Sequence, residues 1–270
     1  MVVEKILSVL DNIKQKSPLV HHITNYVTVN DCANIALAIG ASPVMAQDLN
    51  EVEDMVGIAG ALVLNIGTLS TETVESMIIA GKKAKKIGVP VVFDPVGVGA
   101  TPYRNTVAAR ILAEVKPDVI RGNVSEIKCL SGYSGKTRGV DSVEDEFGIE
   151  EIAVDLAGKT DSVIAITGKR DIIISSSQKV YLENGDFFFF FFTGTGCMTS
   201  SLVGCGVATG DAFWGTVAGI GFMGIAGEIA KENLSDKDGL GSYRVKLIDA
   251  ISNLNDELIN KYLKISRGAI

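Results

Sequence analysis

The chain has 270 residues, 47% of them hydrophobic and 21% charged, which is enough apolar material for a substantial core and excludes disorder as its overall state. Its formal net charge of −7 argues against a nucleic-acid binder, which carries a basic face. Any phosphate the protein handles must be met by local groups, and the length allows one large domain or two small ones at about 100–200 residues each.

In chain order the pattern predicts a helix over 3–14, a strand over 19–23, a helix over 29–39, strands over 43–45 and 61–65, and a helix over 71–87. A strand over 89–94, a helix over 105–115, a strand over 118–121 and helices over 124–130 and 149–158 follow. Strands over 163–167, 172–176 and 179–183 come next, and then helices over 197–208, 212–232 and 241–263. The early strands are near-continuous Val, Ile and Leu, as expected of a sheet buried on both faces. Their alternation with helices predicts a three-layer α/β/α fold with a mostly parallel central sheet. No linker rich in Pro or Ser divides the chain, so residues 1–270 are expected to form a single domain; no internal repeat is visible.

Ser70 or Thr71 is a candidate cap for the helix over 71–87. Lys82, Lys83, Lys85 and Lys86 crowd its end, where positive charge suits the helix dipole. A solvated helix end is favoured there over a binding patch. The N-terminus lacks the apolar run of a signal peptide. The stretch 212–227 contains five glycines and falls short of the roughly 20 residues that span a bilayer, so a buried helix with close small-residue packing is expected. Cys32, Cys129, Cys197 and Cys205 form no CxxC pair; reduced thiols in a cytoplasm fit better than a disulfide or zinc framework.

Phe187 to Phe192 are consecutive, six of the ten phenylalanines in the chain. An extended run would point three rings to each face, and exposure would favour aggregation. No elementary argument explains why a soluble protein keeps such a run, and an engineered segment or a defect in the recorded sequence would account for it.

Two motifs mislead. Gly132, Gly135, Lys136 and Thr137 end like a P-loop, but Leu130 stands where the first glycine belongs and the segment follows a helix. Gly219, Gly221 and Gly224 spell GxGxxG inside a helical pattern with no strand before it. His21 and His22, the only histidines, are adjacent in a strand and point to opposite faces, which disfavours a shared metal site; no GxSxG supports a serine triad.

The strongest signal is Thr193-Gly194-Thr195-Gly196-Cys197, two glycines running directly into a helix. Glycine lets the backbone approach a ligand closely, and a helix start offers unpaired N–H groups to an anion. The alternative is a plain glycine turn with a threonine cap. Cys197 at that helix start is expected to have a lowered thiol pKa, or else to be a small buried hydrophobe. Asp94 ends a strand, where open α/β sheets bind ligands, or it caps a turn. Asn123 and Glu126 have the spacing of a capping box. Arg121 at a strand end is placed to grip phosphate, and Glu126 to hold magnesium through water. Thr167-Gly168-Lys169 again follows a strand.

Taken in order, His21-His22-Ile23-Thr24-Asn25-Tyr26-Val27, Ser42-Pro43-Val44-Met45, Asp94-Pro95-Val96-Gly97, Arg121 to Glu126, Thr167-Gly168 and Gly194-Thr195-Gly196-Cys197 resemble hydroxyethylthiazole kinase, of the ribokinase-like superfamily, from about residue 15 to 260. Ribokinase-like enzymes usually carry an aspartate after the GxG, and the cysteine marks the thiazole kinase branch. The Phe run departs from the pattern expected before this motif. The resemblance implies ATP-dependent phosphorylation of 4-methyl-5-(2-hydroxyethyl)thiazole in a salvage step toward thiamine. It implies a homotrimer with substrate near a subunit boundary.

By the same resemblance Val27 and Met45 contact the thiazole, Gly194 lies beside it, and Asn25 lies near the transferring phosphate. Arg121 and Thr167 bind ATP phosphates, together with the amides of Gly194, Thr195 and Gly196, while Asp94 and Glu126 support Mg²⁺. Cys197 is expected to take the hydroxyl proton as a helpful, non-essential base. The rival readings are another ribokinase-like small-molecule kinase, or a non-catalytic nucleotide-binding protein disabled by its phenylalanines. An intact-mass measurement of the expressed protein is expected to return 28.5 kDa; a mass differing by whole Phe residues would remove the run from the molecule.

Overall fold

In the computed structural model, residues 2–132 and 148–269 are described. Most of the P-loop-like segment, including Gly135, Lys136 and Thr137, lies outside them.

Nine strands form one sheet in the order β2-β1-β3-β4-β5-β6-β7-β8-β9. These are β1 (Leu19–Ile23), β2 (Ser42–Val44), β3 (Ala61–Asn65), β4 (Val91–Asp94), β5 (Val119–Asn123), β6 (Val163–Thr167), β7 (Asp171–Ile174), β8 (Lys179–Leu182) and β9 (Ile265–Gly268). Strands β1 to β6 pair in parallel, and β7, β8 and β9 join antiparallel. The expected three-layer, mostly parallel α/β architecture is therefore present. The parallel strands alternate between two cores: Ala61 and Val63 of β3 face one, while Leu62 and Leu64 face the other.

One core packs under α1 (Val2–Lys16), α2 (Val29–Ile39), α8 (Thr195–Val207), α9 (Ala212–Glu232), α10 (Leu240–Ser252) and α11 (Asp256–Tyr262). The other packs under α3 (Val52–Ile58), α4 (Thr71–Ile87), α5 (Pro102–Glu114), α6 (Val124–Leu130) and α7 (Ile149–Thr160).

The single helix expected over 241–263 is two helices, broken where Asn255 leaves the helix to cap α11 by accepting from the Leu258 N–H. Ser70 caps α4 by accepting from the Thr73 N–H. The lysines near its end are a solvated face: Lys82 pairs with Glu114 and Lys85 with Asp118. The GxGxxG lies inside α9, whose residues Phe213 to Gly227 are all buried, as expected of a core helix. Its glycines serve close packing. A Cβ on Gly215 would lie 2.5 Å from the Gly206 carbonyl carbon, and one on Gly219 2.6 Å from the Val203 nitrogen, so α8 and α9 touch backbone to backbone.

The phenylalanine run is not extended. Phe187–Phe190 form a 3-10 helix whose start is capped by Asp186. A Cβ on Gly227 would lie 2.3 Å from Phe189 Cζ, so this glycine makes room for the ring. Phe188 packs 5.1 Å from Tyr243 and under the Lys231 ammonium. Phe187 and Phe191 stay exposed and meet edge to face at 5.0 Å. Three rings of the run, Phe188, Phe189 and Phe192, are thus packed on the core, which the reading of it as an aggregation-prone strand did not anticipate.

The glycine contacts predict opposite signs for two alanine substitutions. Gly215→Ala forces α8 from α9 and is expected to cost about 1–3 kcal/mol, the usual penalty of overpacking. Gly57→Ala, at an exposed helical position with nothing within 4 Å of the new carbon, is expected to gain about 0.5–1 kcal/mol from helix propensity. Urea unfolding of both variants checks the pair.

Candidate active site

The parallel strands deliver their carboxyl ends to one edge of the sheet, where a ligand site is expected in this architecture. Asn25 lies just past β1, Asn65 ends β3, Asp94 ends β4, Arg121 and Asn123 lie at the end of β5, and Thr167 ends β6. Over this edge sits the start of α8. All of these but Asn65 line a cavity of about 880 Å³.

Gly194 precedes α8 with φ +95°, a left-handed conformation suited to glycine. A Cβ there would also lie 2.7 Å from Thr28 Cγ2. No side chain caps this helix. The threonine-cap alternative is therefore excluded, and the amides of its first turn have no intrahelical acceptor. Gly196 has a different reason to be glycine: a Cβ would lie 2.8 Å from Arg121 Nη1. The guanidinium thus rests against the helix start.

Arg121 Nη2 donates to Thr167 Oγ1 at 2.5 Å, and Nη1 lies 3.8 Å from Asp94 Oδ2. Its Nε is buried with no protein acceptor. The two positive features of the site, a helix N-terminus and a guanidinium, therefore converge.

Asp94 is fully buried. Its Oδ2 accepts from Asn65 Nδ2 at 2.9 Å and Ser200 Oγ at 2.7 Å; its Oδ1 has no protein partner. Burial pushes its carboxyl up to about 7 against the opposing pull of Arg121. The Glu126 capping box is formed, with Oε2 accepting from the Asn123 N–H at 2.8 Å, and Oε1 accepts from the Gly97 N–H at 2.9 Å. Each Glu126 oxygen is already engaged once, so its structural role exists alongside any role toward metal.

Cys197 corrects an expectation. Its thiol pKa is raised, chiefly by burial and then by the Asp94 charge, which together outweigh the helix start. Its Sγ accepts from Asn25 Nδ2 at 3.2 Å and Asn65 Nδ2 at 3.3 Å. Asn25 is spent internally: Nδ2 also donates to Asn65 Oδ1, and Oδ1 accepts from the Thr28 N–H and hydroxyl.

The cavity brings together Asn25, Val27, Asp94, Arg121, Glu126, Thr167, Gly194, Thr195, Gly196 and Cys197. Met45 is the exception. It is half-buried just past the edge strand β2 and does not line the cavity. Val27 lines it while remaining exposed, so neither residue is a fully buried core position. His21 and His22 are buried separately, on the Ala46 carbonyl and the Ser201 hydroxyl. Among the described residues, no cluster of three metal-ligating side chains occurs, and all four cysteines are free.

Sequence reasoning missed Asn65, Ser200 and Asp171. Asn65 stands opposite Asp94 in the β3–β4 register, and Ser200 lies one helical turn beyond Gly196. Asp171 lines the cavity and accepts from the Gly168 N–H at 3.0 Å. Burial raises its carboxyl to about 7 as well.

Fold and site together define an α/β small-molecule kinase of the ribokinase-like class. The structure of the pyridoxal kinase from Staphylococcus aureus superposes with a TM-score of 0.63 at 15% identity, covering 94% of this chain and 99% of that one. That likeness concerns the fold.

The family model for the hydroxyethylthiazole kinase family matches residues 10–257, and the chain belongs to that family. It is 52% identical to the hydroxyethylthiazole kinase of Alkaliphilus oremlandii over 263 residues, 97% of each chain. It is 53% identical to that of Clostridium beijerinckii over 269 residues, 97% of this chain and 96% of the relative. The structure of the Pyrococcus horikoshii OT3 hydroxyethylthiazole kinase protein superposes with a TM-score of 0.90 at 35% identity, covering 98% of this chain and all of that one.

The raised carboxyl of Asp171 fixes the sign of a pH effect. An unfolded aspartate ionises near about pH 4, whereas the native one holds its proton to about 7. Between these values the native state binds more protons, so this residue's contribution to stability falls as pH rises through that window and is level above it. Asp171→Asn keeps an acceptor for the Gly168 N–H and is expected to lose less stability than the wild type between pH 5 and pH 8. Urea midpoints at both pH values read the difference.

Proposed function

We propose that this protein phosphorylates the hydroxyl of 4-methyl-5-(2-hydroxyethyl)thiazole with ATP, a salvage step toward thiamine, in the cytoplasm and as a single catalytic domain spanning the chain. The observation that carries this reading is the uncapped start of α8, set by Gly194 and packed on Arg121. Four free thiols suit a reducing compartment. The apolar helix Ala212–Glu232 is 83% buried over its most hydropathic window, as a core helix is.

In this reading the amides of Gly194, Thr195 and Gly196 receive phosphate oxygens, and Arg121, steadied by Thr167, adds fixed positive charge. Phosphoryl transfer demands alignment and charge stabilisation more than covalent help. Asp94 and Glu126 fit Mg²⁺. Asp94 Oδ1 is a buried acceptor without a protein partner, each Glu126 oxygen has capacity beyond its one N–H bond, and hard oxygen donors suit a cation that keeps several waters. Asp94 and Glu126 would hold the ion, which would supply neutralisation of phosphate charge.

Val27, Met45, Gly194 and Asn25 shape the thiazole subsite. Tyr26 and Val27 are 78% and 59% exposed. That exposure beside the cavity supports a homotrimer in which a neighbouring copy covers this wall and Met45 joins it. Cys197 enters the reaction as a thiol, given its raised pKa. It orients the alcohol, and the hydroxyl proton leaves late to an oxygen of the transferred phosphoryl group, since a loose transition state makes little demand on a base.

Incubation with ATP, Mg²⁺ and the thiazole alcohol is expected to release ADP and the phosphorylated thiazole. Preference for pyridoxal or another alcohol in a substrate panel would assign a different kinase, and nucleotide binding without turnover would make the protein a binder only. Arg121→Ala is expected to lower kcat/KM by about 10²–10³-fold, the usual loss of a transition-state charge donor. Cys197→Ser is expected to lower it by only about tenfold, at or below the low end of general-base contributions. A folded Cys197→Ser protein that binds both substrates but is wholly inactive would make the base essential. Light scattering is expected to give three times 28.5 kDa.

A further inference from the structure

The geometry points to Asn65 as a positioning residue that sets Cys197 and Asp94 in one fixed arrangement from behind the site; this rests on the kinase reading above. Asn65 is 1% exposed and is not among the residues that line the cavity. It therefore acts through its neighbours. It stands at the last position of β3, directly opposite Asp94 at the last position of β4.

A primary amide can make four hydrogen bonds, two as donor and two as acceptor, and Asn65 makes all four. Its Nδ2 donates to Asp94 Oδ2 at 2.9 Å and to Cys197 Sγ at 3.3 Å. Its Oδ1 accepts from the Gly67 N–H at 2.9 Å and from Asn25 Nδ2 at 2.9 Å. The Gly67 amide can only donate, so the oxygen must face it. The nitrogen must then face Asp94 and the sulfur.

Asn25 repeats the pattern from the other side, donating to the same sulfur at 3.2 Å. Cys197 Sγ is thereby held between two amide N–H groups. With its lone pairs engaged, its own S–H is left to turn elsewhere. Neither amide has a hydrogen bond to spare. Gly67 approaches so closely that a Cβ there would lie 2.9 Å from Asn25 Nδ2, which locks the pair sideways. A buried network satisfied at every member rigidifies its site, and a misplacement of about 1 Å near reacting groups can cost about 10²-fold in rate.

The test is a kinetic double-mutant cycle on the full-length protein with ATP, Mg²⁺ and the thiazole alcohol. Asn65→Ala is expected to lower kcat about 10–100-fold, with KM for both substrates changed by less than about threefold. In the Cys197→Ala background the same substitution is expected to cost clearly less, because part of its effect runs through the sulfur. Asn65→Ser, which keeps a small polar group, serves if the alanine variant does not fold, and is expected to be intermediate.

Full additivity with Cys197→Ala, or a folded Asn65 variant with wild-type kcat, would overturn the proposal. If the wild type does not turn over the thiazole alcohol, the kinase reading fails by itself. The positioning claim is then decided by a crystal structure of the Asn65 variant: a shifted or split Cys197 side chain supports it, and an unchanged one refutes it.

Discussion

In the function proposed here, everything at the site depends on a chain of net charge −7 meeting phosphate with locally concentrated positive potential. The first turn of α8 has no side-chain cap because Gly194 enters it left-handed, and its amides keep their donor capacity for a ligand. Arg121 lies against the same turn because Gly196 has no side chain. A larger residue at position 196 would push the guanidinium away, and an ordinary cap at 194 would occupy the amides. The carboxylates of Asp94 and Glu126 then complete a site of mixed sign, suited to a phosphate that arrives with a metal ion.

That arrangement holds only if α8 is fixed relative to the strand ends. Small residues achieve this. Gly204 fits α8 onto the sheet, where a Cβ would lie 2.5 Å from Val63 Cγ2. Gly206 faces Gly215, and Gly219 faces the backbone at Leu202 and Val203. The helix is thus clamped between the sheet and α9 over its later turns, while its first turn projects over the carboxyl edge. Ser200 links the two regions by donating to Asp94, so the helix proposed to receive the phosphate also orients the carboxyl facing it.

Much of the fold was legible because burial on both faces of a parallel sheet leaves near-continuous apolar runs, as at Ala61–Asn65 and Val163–Thr167. Four features were not. Helix α3 has only two buried residues, Val52 and Val56, too few to show a helical period. Strand β9 reads Ile-Ser-Arg-Gly at the edge of the sheet, where pairing rather than pattern defines it. The break before α11 depends on a cap, and the Phe run depends on Gly227, distant in sequence from the Phe189 ring it accommodates. At the site, motif residues with glycine or charge at strand ends stood out. Asn65, Ser200 and Asp171 did not, since their importance lies in contacts across the sheet that no local spacing encodes. The expected acidity of Cys197 failed for the same reason: a helix start is visible in sequence, but the burial that opposes it and the nearby Asp94 are not.

The central claim is that the turn from Gly194 to Cys197 receives the travelling phosphoryl group. A crystal structure of the protein with Mg²⁺ and a non-hydrolysable ATP analogue tests it most directly. The account predicts terminal phosphate oxygens within hydrogen-bond distance of those backbone amides and of Arg121. A terminal phosphate seated elsewhere in the cavity, with that turn left untouched, would contradict it.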